Sequence, residues 1–320
     1  TTVAKQGGGD YYSADTAETL AKAFKDRLNN AKTSVKYAYT APVIPFNQDN
    51  AAVSGDKIYI PLFVPDNATF WKGNLKSFNI ATVTSGDSTS ISITGHGGTS
   101  VINENYEFQD VQDNWSSTSD NAEPLINGAA AHMHKGQDDP IRKLYTDLGG
   151  DNTTLSDSGN RVNTTNITPE MLSLAEDDID TRDDLINWIT WDWTAPTPAD
   201  GEQPEESHEG VMGAPLHTRP AVVDYADGDV IYLPTTEGVL EAIDEQTGKE
   251  LWAYMPSELL HNIITIKNNN ESEIPYYGID GPMTTYSIGN QKYLIFGMRR
   301  GGKSYYLLNI TSRAQPKLIQ

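Results

Sequence analysis

Evenly spaced β-forming segments, a turn-rich composition and helical periodicity confined to short stretches together predict a mainly β protein. The expected architecture is a partial β-propeller preceded by an irregular α+β region. In the last third, Ala221–Tyr225, Val230–Leu233, Gly238–Ile243 and Leu251–Tyr254 are four apolar segments separated by turn clusters. Thr284–Ile288, Lys292–Phe296 and Ser304–Leu308 begin a second set. Four strands in roughly 40–45 residues is the length of one propeller blade, and a blade cannot bury both faces by itself. Among 320 residues, 26 glycines and 17 prolines supply the many turns such a fold needs.

Taken in order, the first element is a helix from Asp15 to Asn30. Asp15 and Glu18 form a capping box, and Ala17, Leu20, Ala21, Phe24 and Leu28 share one face. So little chain precedes this one-faced helix that the sequence is expected to begin inside a domain. From Ser34 the periodicity turns to strands. Lys57–Val64 is rich in β-formers, with Pro61 marking an edge or a bulge, and Ser90–Thr94 alternates cleanly. Gly95 to Asn121 reads as long connections with short strands. Helical periodicity is weak over Ile126–Leu148 and clearer over Thr181–Trp191. There Thr181 and Asp184 resemble a capping box, and Leu185, Ile186, Trp188 and Ile189 make a buried face. Thr194–Gly213 is rich in Pro, Glu and Gly without apolar periodicity, which makes it the best internal boundary. The expected division is a terminal helix in 1–33, an intermediate region in 34–213 and blades in 214–320. The second blade is expected to stop unfinished at Gln320.

Charge excludes whole classes of function. Lys and Arg number 23 against 44 Asp and Glu, for a net charge of −21. Such a surface repels phosphate backbones and anionic lipid, so no nucleic-acid partner is expected. No apolar run approaches the ~18 residues that span a bilayer. Cysteine is absent, which removes thiol nucleophiles, thiolate metal sites and disulfides.

Few residues suggest chemistry. His132 and His134, alternating in Ala131–His134, are too few for a metal site without further ligands. Asp151 and Asp157, in the run from Asp151 to Asn160, form the acidic loop best suited to calcium, although it lacks the spacing of a helix–loop–helix site. His217 is expected to satisfy backbone groups. Asp280, in Ile279-Asp280-Gly281-Pro282, reads as a turn former, and Glu241 is a further available carboxylate. Arg299-Arg300-Gly301-Gly302-Lys303 reads as a hairpin whose glycines take positive φ. No nucleophile elbow, P-loop or His-Glu-x-x-His string is present.

Two kinds of string go beyond composition. Val239–Trp252 places Asp244 at a strand end, Thr247-Gly248 in a tight turn and Trp252 on the returning strand, where it would pack between blades. This segment resembles the blade repeat of quinoprotein-like propellers. Leu216–Val223 with His217, Tyr277–Pro282 with Asp280, and Gly301–Thr311 follow in the same order as in the PilC/PilY family of type IV pilus-associated proteins, which the chain resembles. Tyr11–Ala14 with the helix after it resembles the end of that family's von Willebrand A-like domain, and Phe70–Lys76 with Trp71 resembles the segment before its propeller. Trp71, His217, Asp244, Gly248, Trp252 and Asp280 are the structural signature of the likeness. The resemblance implies an internal fragment of a much longer protein. It also implies a non-enzymatic extracellular or cell-surface role in pilus assembly or adhesion. Pilins or minor pilins, a host or abiotic surface, and self-association into an oligomer or filament are the partners it suggests. The calcium loop of some members would lie beyond Gln320. Two other functions compete: a quinone-dependent dehydrogenase, and a fragment that polymerises into a fibre by strand exchange at open edges.

Overall fold

A computed structural model describes residues 16, 38–40, 57–85, 88–103, 108–133, 141–192, 208–272 and 274–320. The expected helix at Asp15–Asn30 lies outside them, as does His134. Residues Tyr39–Gln320 form one compact unit and Thr1–Ala38 another. The larger unit is mainly β, as its sequence predicts.

Its first sheet is a meander of β1 (Lys57–Phe63), the long β2 (Lys72–Ser85) and β3 (Ser88–Thr94). Pro61 sits within β1, where its carbonyl accepts the Thr40 N–H at 3.2 Å. Asn74 explains part of the Phe70–Lys76 segment. Its buried amide donates to the carbonyls of Pro124 (3.0 Å) and Asn127 (2.8 Å) and accepts from the N–H groups of Leu75 and Ala130, so no polar atom is left over. Trp71 stacks on Phe63, ring centroids 6.1 Å apart, and donates its indole N–H to Ala68 O. Two short strands follow, β4 (Leu144–Tyr145) and β5 (Thr153–Thr154), then α1 (Ile179–Thr190). Asp178, rather than Thr181, caps this helix by accepting the Thr181 N–H, and Leu185, Ile186, Trp188 and Ile189 are buried as expected. Over the described part of Ile126–Leu148 only a 3-10 turn forms, at Ala130–His132. Leu144 there belongs to a strand, since two residues of tertiary pairing override a weak local periodicity.

After β6 (Met212–Gly213), which pairs with the start of β2, come two consecutive four-stranded antiparallel meanders. The first comprises β7 (Ala221–Val223), β8 (Val230–Pro234), β9 (Leu240–Asp244) and β10 (Glu250–Tyr254). A short helix, α2 (Ile263–Asn268), intervenes. The second meander comprises β11 (Met283–Ile288), β12 (Gln291–Gly297), β13 (Tyr305–Asn309) and β14 (Lys317–Leu318). The last strand, too short to carry an alternation, completes a set that the sequence suggested was unfinished. Each meander also gains a fifth strand from the intermediate region. The outer strand β10 takes β4 in parallel, and β14 takes β5 antiparallel. These additions cover the outer edges of β10 and β14, whereas β7 and β11 stand at the ends of their sheets.

Alternation makes the first meander the middle layer. Tyr232, Leu240, Ala242, Trp252 and Tyr254 share the large core with Leu294, Phe296, Tyr306 and Leu308 of the second meander. Ile231, Leu233 and Ile243, of opposite parity, share a second core with Tyr59, Leu75, Trp115 and Met212. Period-two patterning thus feeds two cores from one set of strands.

Candidate functional site

The hairpin between β9 and β10 is where the signature residues converge. Asp244 ends β9, and its Oδ1 accepts both the N–H (2.8 Å) and the hydroxyl (2.7 Å) of Thr247, an Asx-type turn. Gly248 follows at φ +71°, in the left-handed region that favours glycine. A Cβ there would also meet the Trp115 ring at 2.7 Å. The other Asp244 oxygen pairs with the Arg313 guanidinium, from the loop between β13 and β14. Trp252, 2% exposed, donates its indole N–H to the Arg313 carbonyl at 2.9 Å. One residue of the second meander is thus held by side chain and backbone from the first. Tyr225 reinforces the joint: its hydroxyl bonds Tyr232 and the Ile310 carbonyl, both at 2.7 Å. Burial drives the Tyr225 phenol well above its ordinary range, although its bond to Tyr232 opposes the rise.

The first sheet grips the same hairpin from its other side. Glu245 accepts from Lys57 Nζ (2.6 Å) and the Tyr59 hydroxyl (2.5 Å), and its carbonyl accepts the Trp115 indole N–H (2.8 Å). Tyr59 and Trp115 stack with centroids 6.0 Å apart.

A second constellation, absent from the sequence reading except for Glu241, is ionic and buried, with only the Glu250 side chain slightly exposed, at 5%. Arg142, just before β4, sends Nε and Nη2 to Glu250 at 3.0 and 2.8 Å, and Nη2 also to Glu241 at 2.9 Å. Glu237 lies 3.7 Å from Nη1, and its Oε1 is 2.6 Å from His208 Nε2. The guanidinium stands over the Trp191 ring, 4.9 Å from its centroid. Burial works to lower the Arg142 pKa, but Glu250, Glu241 and Glu237 outweigh it and raise it. Burial pushes the Glu241 carboxyl well up, helped by Glu250 and Glu237 and opposed by Arg142. Burial also pushes Glu237 up, yet His208 and Arg142 hold it below the ordinary glutamate range. One oxygen each of Glu237 and Glu241 has no hydrogen-bond partner among the described residues. Glu241 lies on a face opposite Trp252 and Tyr254, so the cluster joins the first meander to β4, α1 and the 208–213 segment. Shut off from solvent, it is built to fix elements in place rather than to meet a substrate.

The third constellation pairs the starts of the two meanders. His217, preceding β7, places Nδ1 2.8 and 2.9 Å from the two oxygens of Asp280, which precedes β11 and is fully buried. His217 therefore meets a carboxylate, not the backbone groups expected of it, and Asp280 does more than form a turn. Arg299 Nη1 reaches the same carboxylate at 3.5 Å. In the β12–β13 hairpin it is Arg299 that takes positive φ (+50°), and neither Gly301 nor Gly302 does. Those two glycines serve close approach instead: a Cβ on Gly301 would sit 1.7 Å from the Tyr277 carbonyl.

Similarity to known proteins is limited and points one way. A curated relative, a type IV pilus biogenesis factor PilY1 homolog from Xylella fastidiosa, is 28% identical over 95 residues. That stretch is 28% of this chain and 8% of the relative, so the chain spans a small part of that protein's length. No family model matches the chain, and no solved structure matches it.

The remaining sequence candidates stand apart. Asp151 and Asp157 are exposed at the two ends of a loop closed by its own bonds, Thr153 Oγ1 to the Gly149 and Gly150 carbonyls and Asp157 N–H to Thr154 O. Among the described residues no group of three or more His, Asp or Glu side chains is arranged to hold a metal. His132 Nε2 bonds the Trp115 carbonyl at 3.1 Å. No described helix is long and apolar enough to cross a membrane.

Proposed function

We propose that the chain is part of a non-enzymatic surface protein of a bacterial type IV pilus or a related filament, acting in pilus assembly or adhesion. The observation that carries this reading is the 28% identity over 95 residues to a type IV pilus biogenesis factor homolog. Two consecutive meanders joined through Asp244, Trp252 and Arg313 support it, because successive rigid leaves suit a platform whose loops contact pilins or a surface. The carboxylate that a cofactor-dependent reading would draw on first, Asp280, already faces His217 and Arg299.

The test is genetic and cell-biological. In a bacterium encoding this chain, deletion of its gene is expected to reduce surface pili and attachment, with the parent sequence restoring both. Immunolabelling should place the protein outside the cytoplasm. Normal piliation and attachment after deletion, or a cytoplasmic location, would overturn the proposal.

A further inference from the structure

The search for unassigned sites leads to the surface around Asp280. There Arg299 shares the Asp280 carboxylate with His217, and Arg300 follows it in the β12–β13 hairpin, in a chain that carries 23 basic residues against 44 acidic ones. His217 alone already bonds both Asp280 oxygens. Arg299 adds a single contact at 3.5 Å, and its side chain remains 44% exposed. Its other N–H groups have no hydrogen-bond partner among the described residues. Arg300 is steadied separately, with its guanidinium over the Tyr277 ring (5.1 Å) and Nη1 on the Tyr277 hydroxyl (2.9 Å). Among the described residues Asp280 is the only carboxylate in contact with either guanidinium, and it touches Arg299 alone.

The backbone is arranged to hold both arginines there. A left-handed conformation is uncommon for an arginine, yet Arg299 adopts φ +50°. Gly301 lets the hairpin lie directly on the Tyr277 and Gly278 carbonyls, which sets Arg300 beside Tyr277.

We propose that His217, Arg299 and Arg300 form a recognition site for a carboxylate carried on an acidic segment of a protein partner. Guanidinium forks match carboxylate geometry, and an exposed pair needs no large conformational change to engage one. The net charge of −21 decides between anions. Its field disfavours long polyanions such as nucleic acid or an anionic membrane, whereas a short acidic segment engages only the local patch. The site is independent of whether the larger protein serves a pilus.

Anisotropy of a fluorescein-labelled hexaglutamate peptide, titrated with the whole chain at about 50 mM salt, tests this. Saturable binding is expected, weakened about tenfold or more by R300Q, with hexaglutamine not binding. R300Q leaves the His217–Asp280 contact untouched and removes only exposed contacts with Tyr277, so a melting temperature within a few degrees of the parent excludes misfolding. Equal binding of the two peptides, no saturation by millimolar protein, or undiminished affinity in R299Q/R300Q would each overturn the site. Competition by inorganic phosphate as strong as that by unlabelled hexaglutamate would overturn the assignment to a protein partner.

Discussion

Removing the guanidinium from the buried cluster is the most severe single change that the structure identifies. In Arg142→Met, Glu250 loses every hydrogen bond it receives from Arg142, and Glu241 loses its contact at 2.9 Å. Glu237 keeps His208. Glu250 receives more of the Arg142 hydrogen bonds than Glu241 does, so it loses the most contacts. An uncompensated buried carboxylate takes up a proton instead of staying charged. Neutralising one glutamate of ordinary pKa near 4.3 costs about 3.7 kcal/mol at pH 7 and about 1 kcal/mol at pH 5. The first figure falls within the range of about 3–5 kcal/mol for breaking a buried ion pair from one side. Urea unfolding of parent and variant at the two pH values measures the difference, and at neutral pH the melting temperature should fall by roughly 10 °C. The double variant R142M/E250Q should lose most of the pH dependence. A cost below about 1 kcal/mol at pH 7, or an equal cost at both pH values, would refute the reasoning.

Glu241→Gln tests the same cluster from the acid side. Because folding raises the Glu241 pKa, its contribution is complete below the ordinary glutamate range and is lost as pH rises toward the folded value. The variant should lack that decline, of up to about 1.4 kcal/mol per pH unit, in denaturation at a series of pH values. Trp252→Phe leaves the Arg313 carbonyl without its donor and should cost roughly 1–3 kcal/mol in urea titrations; a neutral effect would remove the joint between meanders from the account. Gly248→Ala meets both an unfavourable φ and the Trp115 ring, so a cost of about 1–3 kcal/mol is expected by the same measurement, with partial relief from W115F. Asp157 lies in a loop closed by its own hydrogen bonds, so millimolar calcium should shift the melting temperatures of parent and D157N alike; a calcium-dependent rise in the parent alone would establish a site there.

What the sequence made legible was local. The strands β8 to β10 and β11 to β13 fall where apolar segments alternate with turn clusters, because period-two burial and turn chemistry are both written within a few residues. Asp244, Thr247 and Gly248 likewise declare their turn, and Trp252 its burial. Long-range pairing was not legible. The two-residue strands β4, β5 and β14 carry no periodicity and exist because an edge of a neighbouring sheet is available. Arg142 meets Glu250 across 108 residues, and each reads alone as a surface charge. The one clue was Glu241, interrupting the apolar run Val239–Ile243 inside a strand whose neighbours are all buried. His217 and Asp280 were visible as signature residues, but their contact joins segments 63 residues apart.

The middle position of the first meander explains why its two faces are unlike. Toward the second meander it presents Tyr232 and Trp252, whose rings lie 5.8 Å apart, and Tyr254, which meets Tyr306 at 6.0 Å and Phe296 at 6.4 Å. An aromatic face of this kind gains energy from area but tolerates several registers. The opposite face carries Glu241 toward Arg142, a contact with little tolerance for displacement. A slip of β9 by one residue would turn Glu241 into the aromatic layer and set Leu240 against a buried guanidinium. Hydrophobic burial holds the layers together, while the ionic cluster penalises every register but one. That division accounts for three carboxylates and one arginine being buried where apolar residues of similar size would have packed at lower cost.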